Sequence, residues 1–159
     1  MDFTLRPAEA RDRLVLEPLE KELFLVHKEA APDLFKDEPP YFTGEYYAVL
    51  TSDPDHLLLV AENEAGELAG FLTARVRRVK DHPNLRDEDL FHVDDLFVGE
   101  AFRGRGLGRA LMEKAIGEAT RRGCDALELG VYAFNKTAVA FYEALGMEAE
   151  VLRMRLPLE

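Results

Sequence analysis

The stretch Arg103-Gly104-Arg105-Gly106-Leu107-Gly108 decides the fold, because it places three glycines between a hydrophobic run and an amphipathic segment. The run before it, residues 93–98, is predicted to be a strand. The segment after it is predicted to be a helix, since apolar side chains recur at four-residue spacing: Leu107, Leu111, Ala115 and Ala119. Glycines leave the unpaired N–H groups at the start of that helix open to a phosphate. We therefore predict a strand–loop–helix unit that binds a phosphorylated ligand; an ordinary turn without a ligand would also explain the loop taken alone.

Two common phosphate-binding loops do not fit the stretch. A dinucleotide fingerprint requires G-x-G-x-x-G, but Arg109 stands where the third glycine should follow Gly104 and Gly106. A nucleotide P-loop requires G-x-x-x-x-G-K-[ST], which does not occur in the chain. The remaining pattern, R-x-x-G-x-G at Arg103, Gly106 and Gly108, resembles the acetyl-coenzyme A loop of the GNAT superfamily of N-acetyltransferases.

A second motif strengthens that resemblance. Residues 135–146 are similar to the family's later helix, N-x-x-A-x-x-F-Y-E-x-x-G, through Asn135, Ala138, Phe141, Tyr142, Glu143 and Gly146. The likeness extends over residues 57–146, whereas residues 1–55 match loosely, through Leu5-Arg6-Pro7-Ala8. Two motifs in the family's order identify the chain as a member of the superfamily.

Length and composition indicate one domain, residues 1–159, with a substantial core. No apolar run approaches the length of a membrane span, and the N-terminus lacks the features of a signal peptide. The single cysteine, Cys124, excludes an internal disulfide and fits a reducing compartment, so we expect a cytoplasmic protein. Cys124 itself is expected to be a small buried hydrophobe rather than an acyl-carrying nucleophile.

The net charge of −11 argues against nucleic-acid binding and favours cationic partners such as amines. Basic side chains nevertheless cluster around the glycine stretch: Arg103, Arg105, Arg109, Lys114, Arg121 and Arg122. A local basic patch in an acidic protein fits a polyanionic cofactor, and a solvated helix face would account for the last three.

Hydrophobic periodicity and turn residues predict the order β-α-α-β-β-β-α-β-α-β. The predicted strands are residues 3–6, 57–62, 68–79, 90–98, 126–132 and a final strand or strand pair at 147–156. The predicted helical segments are 9–29, interrupted near Pro18, then 46–50, 106–122 and 135–145, with a loop at 32–43 that contains Pro39 and Pro40. This is an α/β domain of the α+β type, with a mixed, mainly antiparallel sheet flanked by helices.

The resemblance implies where the cofactor binds. The strands ending at Val98 and Tyr132 should splay apart, the pantetheine arm should lie in the gap, and the acetyl-CoA-binding half should span about residues 90–146. The residues that match the family's cofactor site are Leu96, Phe97, Val98, Arg103, Gly104, Arg105, Gly106, Leu107, Gly108, Arg109, Asn135 and Tyr142. Asn135 is also expected to cap the helix that follows it.

Acetyl transfer from a thioester to an amine needs a neutral amine, a stabilised oxyanion and a proton for the thiolate. The resemblance implies that the backbone N–H of Val98 binds the oxyanion. It also implies that Tyr142 donates the proton, whereas its helical position alone would equally fit a core tyrosine.

For the general base, strand alternation places His92, Asp94 and Leu96 on one face of the strand. The other face carries Phe91, Val93, Asp95 and Phe97. The resemblance implies which of these acts: a glutamate of spermidine/spermine acetyltransferases matches Asp94, and histidines of arylalkylamine acetyltransferases match His92 and Asp94. Asp94 is therefore the first candidate and His92 the second, acting through water. Asp94 could instead bind the substrate's positive charge, and both could simply form a polar face. Asp95 is expected to support a neighbouring loop.

These observations predict an N-acetyltransferase that moves the acetyl group of acetyl-CoA to a primary amine by direct attack in a ternary complex. The substrate would be a cationic small molecule, and the family resemblance implies a homodimer. No metal is expected, because His92-x-Asp94 has no further ligand at suitable spacing. The alternative is an acyl-CoA-binding sensor or partner module without catalysis.

Overall fold

A computed structural model describes residues 2–37 and 41–158; Pro39 and Pro40 of the predicted loop lie outside these ranges. The strands are β1 (Phe3–Pro7), β2 (His56–Asn63), β3 (Leu68–Val79), β4 (Glu88–Val98) and β5 (Ala126–Leu129). The α-helices are α1 (Arg13–Ala30), α2 (Gly44–Ser52), α3 (Leu107–Arg121) and α4 (Lys136–Ala144). Short 3-10 turns at Ala10–Asp12 and Glu100–Phe102 precede α1 and the glycine stretch.

The strands form one sheet in the order β1-β2-β3-β4-β5. Neighbours are antiparallel from β1 to β4, and β5 runs parallel to β4. A mainly antiparallel sheet with helices on its faces confirms the predicted fold class.

Helices cover both faces of the sheet and bury two apolar clusters. One face packs against α3 through the predicted ladder, whose four members are all buried: Leu107, Leu111, Ala115 and Ala119. The opposite face packs against α1 and α2 through Leu16, Leu19, Tyr47 and Leu50. We call these the α3 side and the α1–α2 side.

The predicted interruption at Pro18 is wrong, since α1 continues through it to Ala30. Proline removes the N–H that would bond the Leu14 carbonyl. Pro18 is exposed and Leu14 keeps 65% of its surface exposed, so water can reach that carbonyl.

Two predictions for the C-terminal third are also corrected. β5 ends at Leu129 rather than Tyr132, because its pairing with β4 stops at Val93 and Leu129. Residues 147–158 form no strand, and their apolar side chains are 82–92% exposed: Val151, Leu152, Met154, Leu156 and Leu158. No helix within residues 2–37 and 41–158 is long and apolar enough to cross a membrane.

Candidate active site

A gap opens between β4 and the edge strand β5, the parallel pair of the sheet. β4 and β5 pair from Leu90 with Ala126 to Val93 with Leu129. Beyond that point β4 continues to Val98 paired with β3 but not with β5. Residues 94–98 therefore leave backbone groups free of β5, as the predicted splay requires. An extended chain could hydrogen-bond to this edge of β4 like an added strand.

The N–H of Val98 points into this gap. The carbonyl of Phe97, in the same peptide group, points toward β3, where a Cβ added to Gly70 would lie 2.6 Å from its oxygen. The next N–H, that of Gly99, also points toward β3 and donates to the Ala69 carbonyl at 2.9 Å. Because C=O and N–H of a trans peptide point in opposite directions, the Val98 N–H faces away from β3.

The glycine stretch forms the start of α3. Gly106 is the N-cap residue at φ +76°, in the left-handed region where a side chain would be strained. No side chain caps the helix, and the first N–H to bond within it is that of Ala110, to the Gly106 carbonyl at 3.0 Å. In the described part of the chain the N–H groups of residues 107–109 have no hydrogen bond, so this helix end can receive an anion.

Arginine side chains surround that helix end. Arg103 donates to the Val98 carbonyl at 3.0 Å, and Arg109 donates to the Ala144 carbonyl at 3.4 Å, which ties the loop to β4 and to the end of α4. Arg105 is exposed in the same loop. Arginines held by backbone carbonyls keep their charge for a polyanion.

A cavity of about 470 Å³ lies at the gap and reaches both faces of the sheet. Its walls on one side come from β4, from the segment between β5 and α4, which includes Asn135, and from α4, which includes Tyr142. On the other side they come from α1, including Glu20 and His27. Because Tyr142 packs with the α3-side cluster and α1 covers the opposite face, the cavity joins the two sides of the sheet.

Tyr142 and Asn135 lie where the second motif predicts. Asn135 caps α4, because its side-chain oxygen accepts the Ala138 N–H at 3.1 Å, which confirms that prediction. The Tyr142 hydroxyl has no hydrogen-bond partner within residues 2–37 and 41–158. Burial, and then the charge of Asp95, raises the pKa of Tyr142, so its phenol is protonated at neutral pH.

A β-bulge changes the predicted faces of β4. Thr73 of β3 pairs with Asp95 but the next residue, Ala74, pairs with Val93, so Asp94 is the extra residue. As a result Val93 packs on the α3 side while Phe97 packs on the α1–α2 side, although alternation placed them together. The prediction of a common face for residues 92, 94 and 96, opposite 95 and 97, is wrong for this reason.

Asp94 is held in an ion pair. The Arg75 Nε lies 3.1 and 3.2 Å from the two Asp94 oxygens, and the His92 Nε2 lies 3.7 Å from Oδ1. The His92 Nδ1 contacts Glu128 at 2.8 Å, and Arg77 pairs with the same carboxylate. Asp94 still lines the cavity, but its negative charge is already matched.

Two other carboxylates line the cavity, and sequence reasoning missed their place in it. Glu20 accepts the Phe42 N–H at 3.1 Å on both oxygens, and Asp95 accepts from the Thr73 hydroxyl at 3.2 Å. Asp95 thus bonds to β3 rather than supporting a loop. Neither carboxylate has an ion-pair partner among the described residues. The only signal in the sequence for Glu20 was its place one residue after the buried Leu19 on an amphipathic helix.

Burial raises the pKa of both acids. For Glu20 the pKa rises to about 7; loss of hydration is the largest cause, the Phe42 N–H opposes it, and the charge of Asp95 adds to it. Burial also raises the pKa of Asp95, and this effect exceeds the opposing effect of the hydrogen bond from Thr73. Among the residues the structure describes, no three His, Cys, Asp or Glu side chains are grouped to hold a metal.

Sequence comparison supplies a family for this arrangement. The sequence model of the acetyltransferase (GNAT) family matches residues 21–147. An uncharacterised N-acetyltransferase of Methanocaldococcus jannaschii is 43% identical over 65 residues, 41% of this chain and 29% of that protein. The L-ornithine N5-acetyltransferase of Arabidopsis thaliana is 25% identical over 148 residues, 92% of this chain and 61% of that protein. The chain thus spans less than two thirds of the length of these curated relatives.

Structure comparison agrees over the full length. A mutant of the BH1408 protein from Bacillus halodurans superimposes with a TM-score of 0.93 at 27% identity, covering 98% of this chain and 99% of that one. The fold of the whole chain is therefore one found in a crystal structure.

Proposed function

The chain belongs to the acetyltransferase (GNAT) family, and on that premise we propose that it transfers an acetyl group from acetyl-CoA to a primary amine. The observation that carries this proposal is the shared cavity. An edge of β4 suited to an extended arm and an α3 N-terminus suited to phosphate adjoin a pocket lined by Tyr142.

The cofactor would bind along the gap. Its phosphates would meet the N–H groups of residues 107–109 and the arginines Arg103, Arg105 and Arg109. Its pantetheine amides would pair with β4 from Leu96 to Val98, with Asn135 at the other wall. Gly104, at φ +75°, and Gly106 let the loop approach the phosphates without side chains in the way.

The chemistry would proceed by direct attack in a ternary complex. The Val98 N–H, which points into the gap, would bind the oxyanion as the amine adds to the thioester carbonyl. The protonated Tyr142 would then donate its proton to the departing thiolate. The assignments of Asp94 and His92 as general bases stay predictions, and Arg75 already donates to both oxygens of Asp94.

The acceptor would be a cationic amine. Glu20 and Asp95 provide negative charge on the α1 side of the cavity, and the rings of Phe35 and Tyr132, 5.5 Å apart, form a wall suited to an alkylammonium. The relative in Arabidopsis named for L-ornithine makes a small diamine or diamino acid the first class to test.

The exposed C-terminal segment supports a homodimer. Leu152, Met154, Leu156 and Leu158 alternate with Arg153, Arg155 and Pro157, the pattern of a strand with one apolar face. β5 is the edge of the sheet within the described residues, and a second copy of this segment would cover it. We place this dimer, like the cytoplasmic location, among the proposals.

The experiment is a panel of amines compared by kcat/KM for coenzyme A release. We expect small diamines and diamino acids to exceed monoamines of equal length, because only they pair a reacting amine with a second charge. Equal rates for both groups would contradict the cationic-acceptor assignment. Acetyl-CoA binding with no turnover on any amine would instead support the non-catalytic alternative.

A further inference from the structure

The acceptor side of the cavity contains a carboxylate, that of Glu20, whose negative charge no cation among the described residues balances. Glu20 projects from α1 into the cavity that Tyr142 lines from the opposite side of the sheet. Among the described residues its one hydrogen-bond donor is the Phe42 N–H, and it has no ion pair there. A half-buried carboxylate without a cation costs free energy, which suggests that its partner is the substrate.

We propose that the carboxylate of Glu20 takes the proton from the substrate's ammonium group, directly or through one water, before the amine attacks. This proposal rests on the acetyl transfer proposed above. It assigns the general base to α1 rather than to β4.

The proton balance is complete with the groups present. The N–H bond of the ammonium breaks, the proton moves to Glu20, and the nitrogen keeps its lone pair. The nitrogen then bonds to the thioester carbon, the C–S bond breaks, and Tyr142 protonates the thiolate. The second proton of the amine nitrogen returns Tyr142 to its phenol form through water, and Glu20 releases its proton to solvent.

The geometry favours Glu20 over Asp94 as proton acceptor. Arg75 donates to both Asp94 oxygens, so this carboxylate already holds a cation and has less room to accept a proton from the substrate. Glu20 bonds one neutral N–H and has acceptor capacity left on both oxygens. The pKa of about 7 for Glu20 matches the value that a general base needs near neutral pH.

The charged and titratable groups around Glu20 come from three elements. Asp95 on β4 and Glu17 on α1 both raise its pKa. Tyr46 on α2 also interacts with it, and the pKa of Tyr46 is itself raised, by burial and by the charges of Asp94 and Asp95. His27, further along α1, also lines the cavity. Because burial, Asp95 and Glu17 all raise the pKa of Glu20, the acidic limb of the pH profile should lie above that expected for an ordinary glutamate.

The test is the pH profile of kcat/KM and kcat for Glu20→Gln, from about pH 5 to about pH 10. The wild type should lose activity below about pH 7, because the base must be ionised. Glu20→Gln should lower kcat about 100-fold near neutral pH. Its rate should recover toward the wild-type rate as pH approaches the pKa of the amine, because neutral amine then arrives from solution. A purely structural role would not produce this recovery.

Two further variants complete the design. Glu29→Gln, exposed on the same helix and not among the charges that raise the pKa of Glu20, is the matched control and should keep the wild-type rate within about twofold. Asp95→Asn removes a charge that raises the pKa of Glu20, so the acidic limb should move to lower pH. This shift tests the proposal even if Glu20→Gln does not fold.

The outcomes separate the two proposals. No coenzyme A release by the wild type with any amine contradicts the proposed function itself. Wild-type turnover together with an unchanged acidic limb in Glu20→Gln, or in Asp95→Asn, overturns the role of Glu20 alone. If the acidic limb of the pH profile disappears in Asp94→Asn but not in Glu20→Gln, the general base is Asp94 on β4 and the role of Glu20 is overturned.

Discussion

At the scale of single residues, Tyr142 is the side chain on which the proposed chemistry depends most. Its hydroxyl lines the cavity, and burial keeps it protonated, so it can give a proton but contributes little as an anion. Its ring packs against Phe141 at 5.2 Å, which fixes the direction of the phenol. The ring of this tyrosine therefore packs as a core side chain would, while its hydroxyl is available for the proposed catalytic role.

Tyr142→Phe should lower kcat about 100-fold while changing KM for acetyl-CoA little, because the phenol donates its proton only as the thiolate leaves. Steady-state kinetics with the best amine measures this. Glu143→Gln, exposed on the same helix, is the control. A Tyr142→Phe enzyme as fast as wild type would contradict the assignment.

Sequence motifs predicted the positions of some residues of the candidate site, whereas residues outside the motifs were harder to predict. Tyr142, Asn135 and the glycines lie where their motifs predicted, because each motif encodes a local backbone geometry. The ion pair of Asp94 with Arg75 and the burial of Glu20 arise from distant parts of the chain. No local pattern contains that information.

At the scale of elements, the start of α3 is the feature that a phosphate would use. The left-handed Gly106 turns the chain so that the helix N-terminus faces the loop, with its first N–H groups unpaired among the described residues. A phosphate there would gain both those donors and the helix dipole.

Gly106→Ala should raise KM for acetyl-CoA and lower stability by about 1 kcal/mol, because alanine is strained at φ +76°. Gly117→Ala is the matched control in the same helix: its Cβ meets no atom within 4 Å, and its φ is ordinary. It should leave KM unchanged and stabilise the helix by about 0.5–1 kcal/mol. Kinetics and urea unfolding of both variants make the comparison. Equal KM values in the two variants would count against phosphate binding at this loop.

Elements themselves were predictable to different degrees. β3 was predicted to its end residues, because a long β-rich run ends at clear turn signals. The bulge in β4 was not predictable, since an extra residue leaves the composition of a strand unchanged. Pro18 suggested a break that solvent access to the Leu14 carbonyl makes unnecessary.

At the scale of the whole molecule, the C-terminal third is less buried than the rest. α4 has no fully buried residue, and the apolar side chains of residues 151–158 face solvent. The alternation of apolar and polar residues in this segment fits the predicted final strand. A strand needs a neighbouring strand to pair with, however, and no described residue pairs with this segment. A large exposed apolar row marks a surface that another molecule covers.

The triple variant Leu152→Ser, Met154→Ser, Leu156→Ser should convert a dimer to a monomer, because it removes the apolar face of the segment. Light scattering after size-exclusion chromatography measures the mass. Arg153→Ser with Arg155→Ser, on the other face, serves as control and should remain dimeric. A monomeric wild type would rule out the proposed homodimer.

The central claim is that an acetyl group passes from acetyl-CoA to an amine nitrogen in this cavity. The most direct measurement is mass spectrometry of the acceptor after incubation with acetyl-CoA carrying an isotope-labelled acetyl group, with released coenzyme A thiol counted in parallel. We expect one labelled acetyl group on the amine for each thiol released, and a strongly reduced yield with Tyr142→Phe. Thiol release without labelled amine would mean hydrolysis, and neither product with any amine would contradict acetyl transfer by this protein.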